Sequence, residues 1–208
     1  MRKLSILLIL FVALSSAGLA QKKPYVPDYF PAQLGMEWEY KISTSSGYNM
    51  DMRTVVTERP DASKTGYNVV TTSYTPQESK NYYLKKPGWV MALKTEIPAS
   101  NYTLDYVEDK NEIMNPLKVG ATWEYKGKAV ASTGEQDWEQ SWKVEKVDEV
   151  TVPAGKYKAV KVTSVSTVSG NVTNYQMWYV DRVGVVKMIT DAGGVTSTTE
   201  LVKFTVPK

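Results

Sequence analysis

The chain has 208 residues, with 25 Lys and Arg against 22 Asp and Glu, six Trp and fourteen Tyr against three Phe, and no Cys or His. The missing His and Cys exclude Ser-His-Asp and Cys-His catalysis, His- or Cys-ligated zinc, copper and haem, disulfide stapling and histidine pH switching. A formal charge of +3, with no basic stripe interleaved with aromatics, excludes a nucleic-acid partner.

Residues 1–20 read as a signal peptide. Arg2 and Lys3 begin it, Leu4 to Leu14 form an apolar run, and Gly18-Leu19-Ala20 is a small-x-small cleavage site before Gln21. The run is shorter than the ~18–20 apolar residues a span needs. The expected product is therefore a soluble exported protein, periplasmic or secreted, with no membrane span after cleavage near Ala20; the alternative is an uncleaved anchor. No Cys stands after the run to carry a lipid. Residues 21–208 are expected to form a single domain.

Within that domain one phrase occurs twice. Pro31 to Lys41 reads PAQLGMEWEYK, and Pro116 to Lys126 reads PLKVGATWEYK. Further on, the stretch from Tyr83 to Gly88 has a counterpart from Tyr179 to Gly184. These matches imply an internal duplication, about 29–113 and 114–208. In each phrase Pro ends what precedes, Gly allows a tight turn, and W-E-Y-K alternates as a strand. Trp38 and Tyr40 would share one face, as would Trp123 and Tyr125, and both tryptophans are expected in equivalent buried positions.

The other segments also have period two. Tyr48, Met50, Met52 and Val56 alternate with polar residues; so do Trp138, Trp142 and Val144; Val202, Phe204 and Val206 would share a face. Turn signals at Ser46-Gly47, Pro87-Gly88, Ser169-Gly170-Asn171 and Asp191 to Gly194 separate them. A short helical turn is expected near Asp28 to Gln33 or Pro76 to Asn81. The fold class is all-β: a strongly curved antiparallel sheet, half-barrel or barrel-like, of about ten to twelve strands in two meander repeats that bury their apolar faces jointly.

Four motifs in order carry a resemblance: Y-F-P-x-x-x-G-x-x-W-x-Y at Tyr29 to Tyr40, P-L-x-x-G-x-x-W at Pro116 to Trp123, V-P-A-G-x-Y at Val152 to Tyr157, and W-Y-x-x-x-V-G-V-V-K at Trp178 to Lys187. Together they resemble a widespread family of bacterial exported proteins and lipoproteins of unassigned function. The resemblance implies a strongly curved antiparallel sheet, loosely similar to the half-barrel of periplasmic lipoprotein carriers. It implies no activity. The chain departs from such proteins in lacking the lipid-bearing Cys and any long helix to plug a cavity.

No catalytic set stands out, and no enzyme, cofactor or metal site is expected. A carboxylate-based glycan hydrolase would need two facing carboxylates; Glu37, Glu39 and Glu124 are the candidates, though Glu39 and Glu124 lie on polar strand faces. The acidic stretch Asp105 to Glu112 could offer oxygens to calcium but lacks the Asp-x-Asp-x-Asp-Gly loop, and reads as a solvated linker between the repeats. Asn101-Tyr-Thr and Asn171-Val-Thr match a glycosylation acceptor that bacterial export makes irrelevant. The Trp and Tyr surplus is the better lead, because these side chains suit surfaces apolar at one end and wet at the other. Trp138, Trp142, Tyr175 and Tyr179 are therefore the candidate ligand-binding residues. The ligand would be apolar or amphipathic, lipid-like or a glycan, held on a concave sheet face. The alternative is a structural module of the cell envelope that docks an envelope protein.

Overall fold

The computed structural model describes residues 25–60, 67–74 and 77–207. Among these are twelve strands: β1 (Glu37–Thr44), β2 (Asn49–Glu58), β3 (Asn68–Tyr74), β4 (Gln77–Lys86), β5 (Gly88–Ile97), β6 (Tyr102–Asn115), β7 (Thr122–Ala131), β8 (Gly134–Val152), β9 (Gly155–Val168), β10 (Asn171–Val180), β11 (Gly184–Ala192) and β12 (Val195–Thr205). Each pairs antiparallel with its chain neighbour, and β12 pairs with β1, so the sheet closes into an up-and-down barrel. Closure removes both sheet edges.

The expected all-β architecture is present, and the helical turn expected near Asp28 to Gln33 or Pro76 to Asn81 is found at neither place among the described residues. Residues 28–33 are irregular, and residues 77–81 begin β4; Pro76 and residues 1–20 lie outside the described residues. Pairing wins over local preference at β4, which bonds to β3 and β5 along its length. The helical element that does occur, among the described residues, is the 3-10 turn Pro98–Ser100.

W-E-Y-K follows the first residue of β1 and of β7, the first strands of two six-strand sets, and Gly88 and Gly184 open β5 and β11. Both glycines have positive φ, 82° and 88°, which a side chain would strain. Trp38 is 6 % exposed, but Trp123 is only half-buried.

Val202, Phe204 and Val206 do not share a face. Trp38 pairs with Phe204, Glu39 with Lys203 and Tyr40 with Leu201, so the register slips by one at Val202. Residues directly opposite share a face. The bulge therefore turns Leu201 and Phe204 inward with Trp38 and Tyr40, and leaves Val202 37 % exposed.

The core is layered along the barrel. At one end Trp38, Tyr40, Val56, Val186 and Leu201 cluster with Trp178 and with Val150, Val152 and Ala159. The last three belong to the part of the β8–β9 hairpin that runs past the ladders to β7 and β10. Its turn hooks onto β12, where Ala154 N donates to Leu201 O at 2.9 Å. The middle layer holds Tyr125, Trp142, Val144, Val162 and Tyr179, and Leu104, Ala129 and Ala131 fill the far end.

One seam is incomplete. β6 and β7 pair only where Leu104, Asp105 and Tyr106 meet Ala131, Val130 and Ala129. Side chains bridge the rest: Trp123 Nε1 donates to Asn111 O at 3.0 Å, and Lys128 N donates to Glu108 Oε2 at 2.7 Å. Gly127 makes this possible, since a Cβ there would lie 2.2 Å from that Glu108 oxygen and 2.6 Å from the Tyr125 hydroxyl.

Candidate functional site: a charged, aromatic cavity inside the barrel

The stretch Asp105 to Glu112 is not a solvated linker. It is the middle of β6, where two breaks in the register with β5 interrupt the alternation and decide which charges face inward. Val107 is 60 % exposed while Lys110 is 3 % exposed. The pattern is inverted, with the aliphatic side chain outside and the ammonium inside.

Lys110 Nζ donates to Glu112 Oε2 at 2.5 Å. It also lies 4.6 Å from the ring centroid of Tyr106, 4.8 Å from that of Trp138 and 5.7 Å from that of Trp142. Such a cage compensates part of the desolvation of a buried ammonium through the negative ring faces. Trp142 is held in turn by stacking on Trp123 at 5.5 Å and 10°, and Trp89 meets Trp123 edge-on at 5.9 Å.

Beside this cage lies a cavity of about 230 Å³, walled by Tyr83, Tyr106, Trp138, Gln140, Tyr175 and Met177 together with Lys110 and Glu112. A second cavity of about 210 Å³ lies toward the Trp38 end, between Trp38, Tyr40, Tyr179 and the segment Tyr29-Phe30-Pro31. Tyr83 and Glu112 line both. The Tyr29–Pro31 segment is strapped across the barrel end. Phe30 packs on Tyr83 at 5.0 Å; Asp28 accepts from Asn115 Nδ2 at 2.8 Å and from Lys85 Nζ at 2.6 Å. Gly184 lies beside it; a Cβ there would make only ordinary contact, 3.6 Å from Pro31 Cδ, so its φ of 88° rather than space calls for glycine.

Burial pushes the Tyr83, Tyr106, Tyr175 and Tyr179 hydroxyls above the ordinary phenol range, and the negative charge of Glu112 adds to the rise in each. At neutral pH these groups are phenols that donate hydrogen bonds, not phenolates that act as bases. Nearby, Gln140 Nε2 donates to Ser164 Oγ at 2.9 Å, and the buried Ser166 Oγ has no hydrogen-bond partner.

Of the four residues singled out from sequence, Trp138 and Tyr175 line the first cavity and Tyr179 lines the second. Trp142 stands behind Lys110 and in front of Trp123. Lys110, Glu112, Tyr83 and Tyr106 were missed. The carboxylates considered for hydrolysis lie elsewhere: Glu37 is paired with Arg53, Glu39 with Lys203, and Glu124 is exposed on β7. No group of three or more carboxylates placed to hold a metal ion occurs among the described residues.

No family model matches the sequence, and no curated protein sequence does. Solved structures do resemble it. A candidate lipoprotein from Parabacteroides distasonis ATCC 8503 superposes with a TM-score of 0.52 at 15 % identity, over 88 % of this chain and 100 % of the other. A candidate exported protein with a YmcC-like fold, from Bacteroides fragilis NCTC 9343, gives a TM-score of 0.56 at 11 % identity, over 86 % and 100 %. At such identities the likeness is one of fold.

Proposed function

We propose that this chain is a non-catalytic, exported protein of the bacterial envelope that holds a small amphipathic ligand inside its barrel. The observation that carries this reading is the cavity around Lys110. A barrel of this kind either fills with side chains or encloses a ligand. Here the wall is aromatic and polar, with a few placed hydrogen-bonding groups, as ligand sites are. Among the described aromatic residues only Tyr25, Tyr48 and Tyr67 are exposed, so the surplus is at least partly buried and a flat docking patch is not favoured.

Export rests on residues 1–20 and on a fold shared with a candidate exported protein and a candidate lipoprotein. The outer face carries ion pairs such as Lys203–Glu39 at 2.8 Å and Lys126–Glu139 at 2.5 Å. A lipid-facing barrel would carry an apolar band there. The test is to purify the protein from its host, denature it and identify released small molecules by mass spectrometry. One compound released in stoichiometric amount, and lost in Trp138→Ala, is the expected result. Protein that releases nothing under every growth condition overturns the reading.

A further inference from the structure

We infer that the cavity beside Lys110 takes a small organic acid, one carboxylate on a body the size of a single ring, with Lys110 as its counter-ion. This rests on the binding reading above and specifies its ligand.

Three observations converge. An ammonium has three donors, yet Lys110, at 3 % exposure, has one hydrogen-bond partner, Glu112. Its other donors are directed to ring faces and to the cavity, which is an incomplete shell for a buried cation. The walls supply further donors. The Tyr83 and Tyr106 hydroxyls have no hydrogen-bond partner among the described residues, and burial keeps them protonated. Asn81 has its oxygen taken by Thr95 at 3.0 Å, which leaves its amide N–H groups available.

The third observation is the balance of donors and acceptors. Lys110 and Glu112 bring one charge of each sign to the lining, and the Lys94 ammonium is held by Glu96 Oε1 at 2.6 Å over the Tyr82 ring. Acceptors are scarce, since the Gln140 oxygen already receives Trp138 Nε1 at 3.3 Å. A site rich in donors and poor in acceptors recognises an anion, and a charge-assisted bond is roughly twice as strong as a neutral one. Ala92, Met177 and Met188 complete the wall and suit the body of the ligand. Glu112 then acts as an internal competitor, occupying the ammonium until the acid arrives.

An alicyclic acid and an acidic sugar share this chemistry. Calorimetric titration of residues 21–208 would use cyclohexanecarboxylate and cyclohexylmethanol, glucuronate and glucose, and cyclohexylmethylamine. At least one acid should bind about tenfold or more tighter than its neutral partner, and the better acid identifies the source. Glu112→Gln should tighten that acid by about tenfold by removing the competitor. Lys110→Met together with Glu112→Gln removes both charges without stranding either; it should equalise acid and neutral compound, with folding checked by thermal melting. Equal binding of acid and alcohol, preference for the amine, or no binding by any of the five overturns the acid assignment. The broader reading stays separable, because a neutral compound released from the native protein would sustain it while refuting the acid.

Discussion

β1 and β7 carry the same four residues, W-E-Y-K, from their second positions and meet different fates. β1 is bonded on both sides, to β2 and β12, through its whole length. β7 has a complete ladder to β8 and only three paired residues toward β6. Four positions after each tryptophan, β1 has Ile42 where β7 has Gly127. That difference is local and sufficient. Ile42 sits in an intact ladder, whereas Gly127 leaves the space that the Glu108 carboxylate and the Tyr125 hydroxyl occupy. A repeated phrase thus specifies a strand and its inward face, while the neighbouring strand decides whether that face is sealed by backbone or by side chains. If the two six-strand sets are copies, superposing 29–113 on 114–208 should bring Trp38 onto Trp123 and Gly88 onto Gly184.

The largest effect expected from this contrast is at the tryptophans. Trp38 is buried, donates to Val183 O at 2.6 Å and stacks on Phe204 at 5.4 Å. Trp38→Ala should cost about 3–5 kcal/mol, as buried aromatic truncations do. Trp123 is half-buried at the incomplete seam, and Trp123→Ala should cost about half as much. Denaturant melts of both variants measure the difference, and equal costs would mean that the β6–β7 seam is as tightly sealed as the β1 ladders.

Much of this architecture is legible in the alternation of the chain, because period two and Gly-Pro-Asn turns are local signals. Closure is not. It depends on β1 finding β12, and the slip at Val202 moves Leu201 and Phe204 to the inner face against the alternation. The site was legible only from its aromatic side. Trp138, Tyr175 and Tyr179 were recognisable as strand residues too amphipathic for a dry core. Lys110 and Glu112 lie in a run of charges that reads as solvent-facing; only the pairing with β5, whose register breaks twice along this run, turns Lys110 inward beside Ala92 and leaves Val107 outside.

Gly127 gives the next effect in size. Gly127→Ala must displace the Glu108 carboxylate, the flexible end of an exposed side chain, and the Tyr125 hydroxyl, which is fixed in a buried ring. Overpacking of this kind costs about 1–3 kcal/mol. The seam should loosen first, so backbone amides of residues 122–128 should exchange with solvent faster than those of β1. Pairing Gly127→Ala with Glu108→Ala should recover part of the loss; a double variant no more stable than Gly127→Ala alone would show that the tyrosine, not the carboxylate, is the obstacle.

The smallest effect separates the two tyrosines of the repeated phrase. Tyr40 OH donates to Val185 O at 2.9 Å, and Tyr125 OH reaches Lys128 O at 3.2 Å and Glu108 Oε2 at 3.4 Å. Tyr40→Phe and Tyr125→Phe should each cost about 1 kcal/mol at neutral pH, the net value of one hydrogen bond. Both phenols are raised above the ordinary value of 10.0, Tyr125 to about 12 by burial and then by Glu108, and Tyr40 further by burial. A raised phenol favours the fold only while it keeps its proton. The contribution is complete below about pH 10, where the unfolded tyrosine is also protonated, and is lost as pH rises through the folded value. Wild-type stability should therefore decline from about pH 10 upward. Each Phe variant should lose less over the same range, so its deficit narrows. Tyrosinate absorbance at alkaline pH distinguishes the two. A step near pH 12, shared by Tyr125 and Tyr82, should precede unfolding and fall by about half in Tyr125→Phe, whereas Tyr40 should ionise only as the barrel opens. Ionisation of Tyr40 before unfolding would mean that the intact ladders around β1 do not keep water from its hydroxyl.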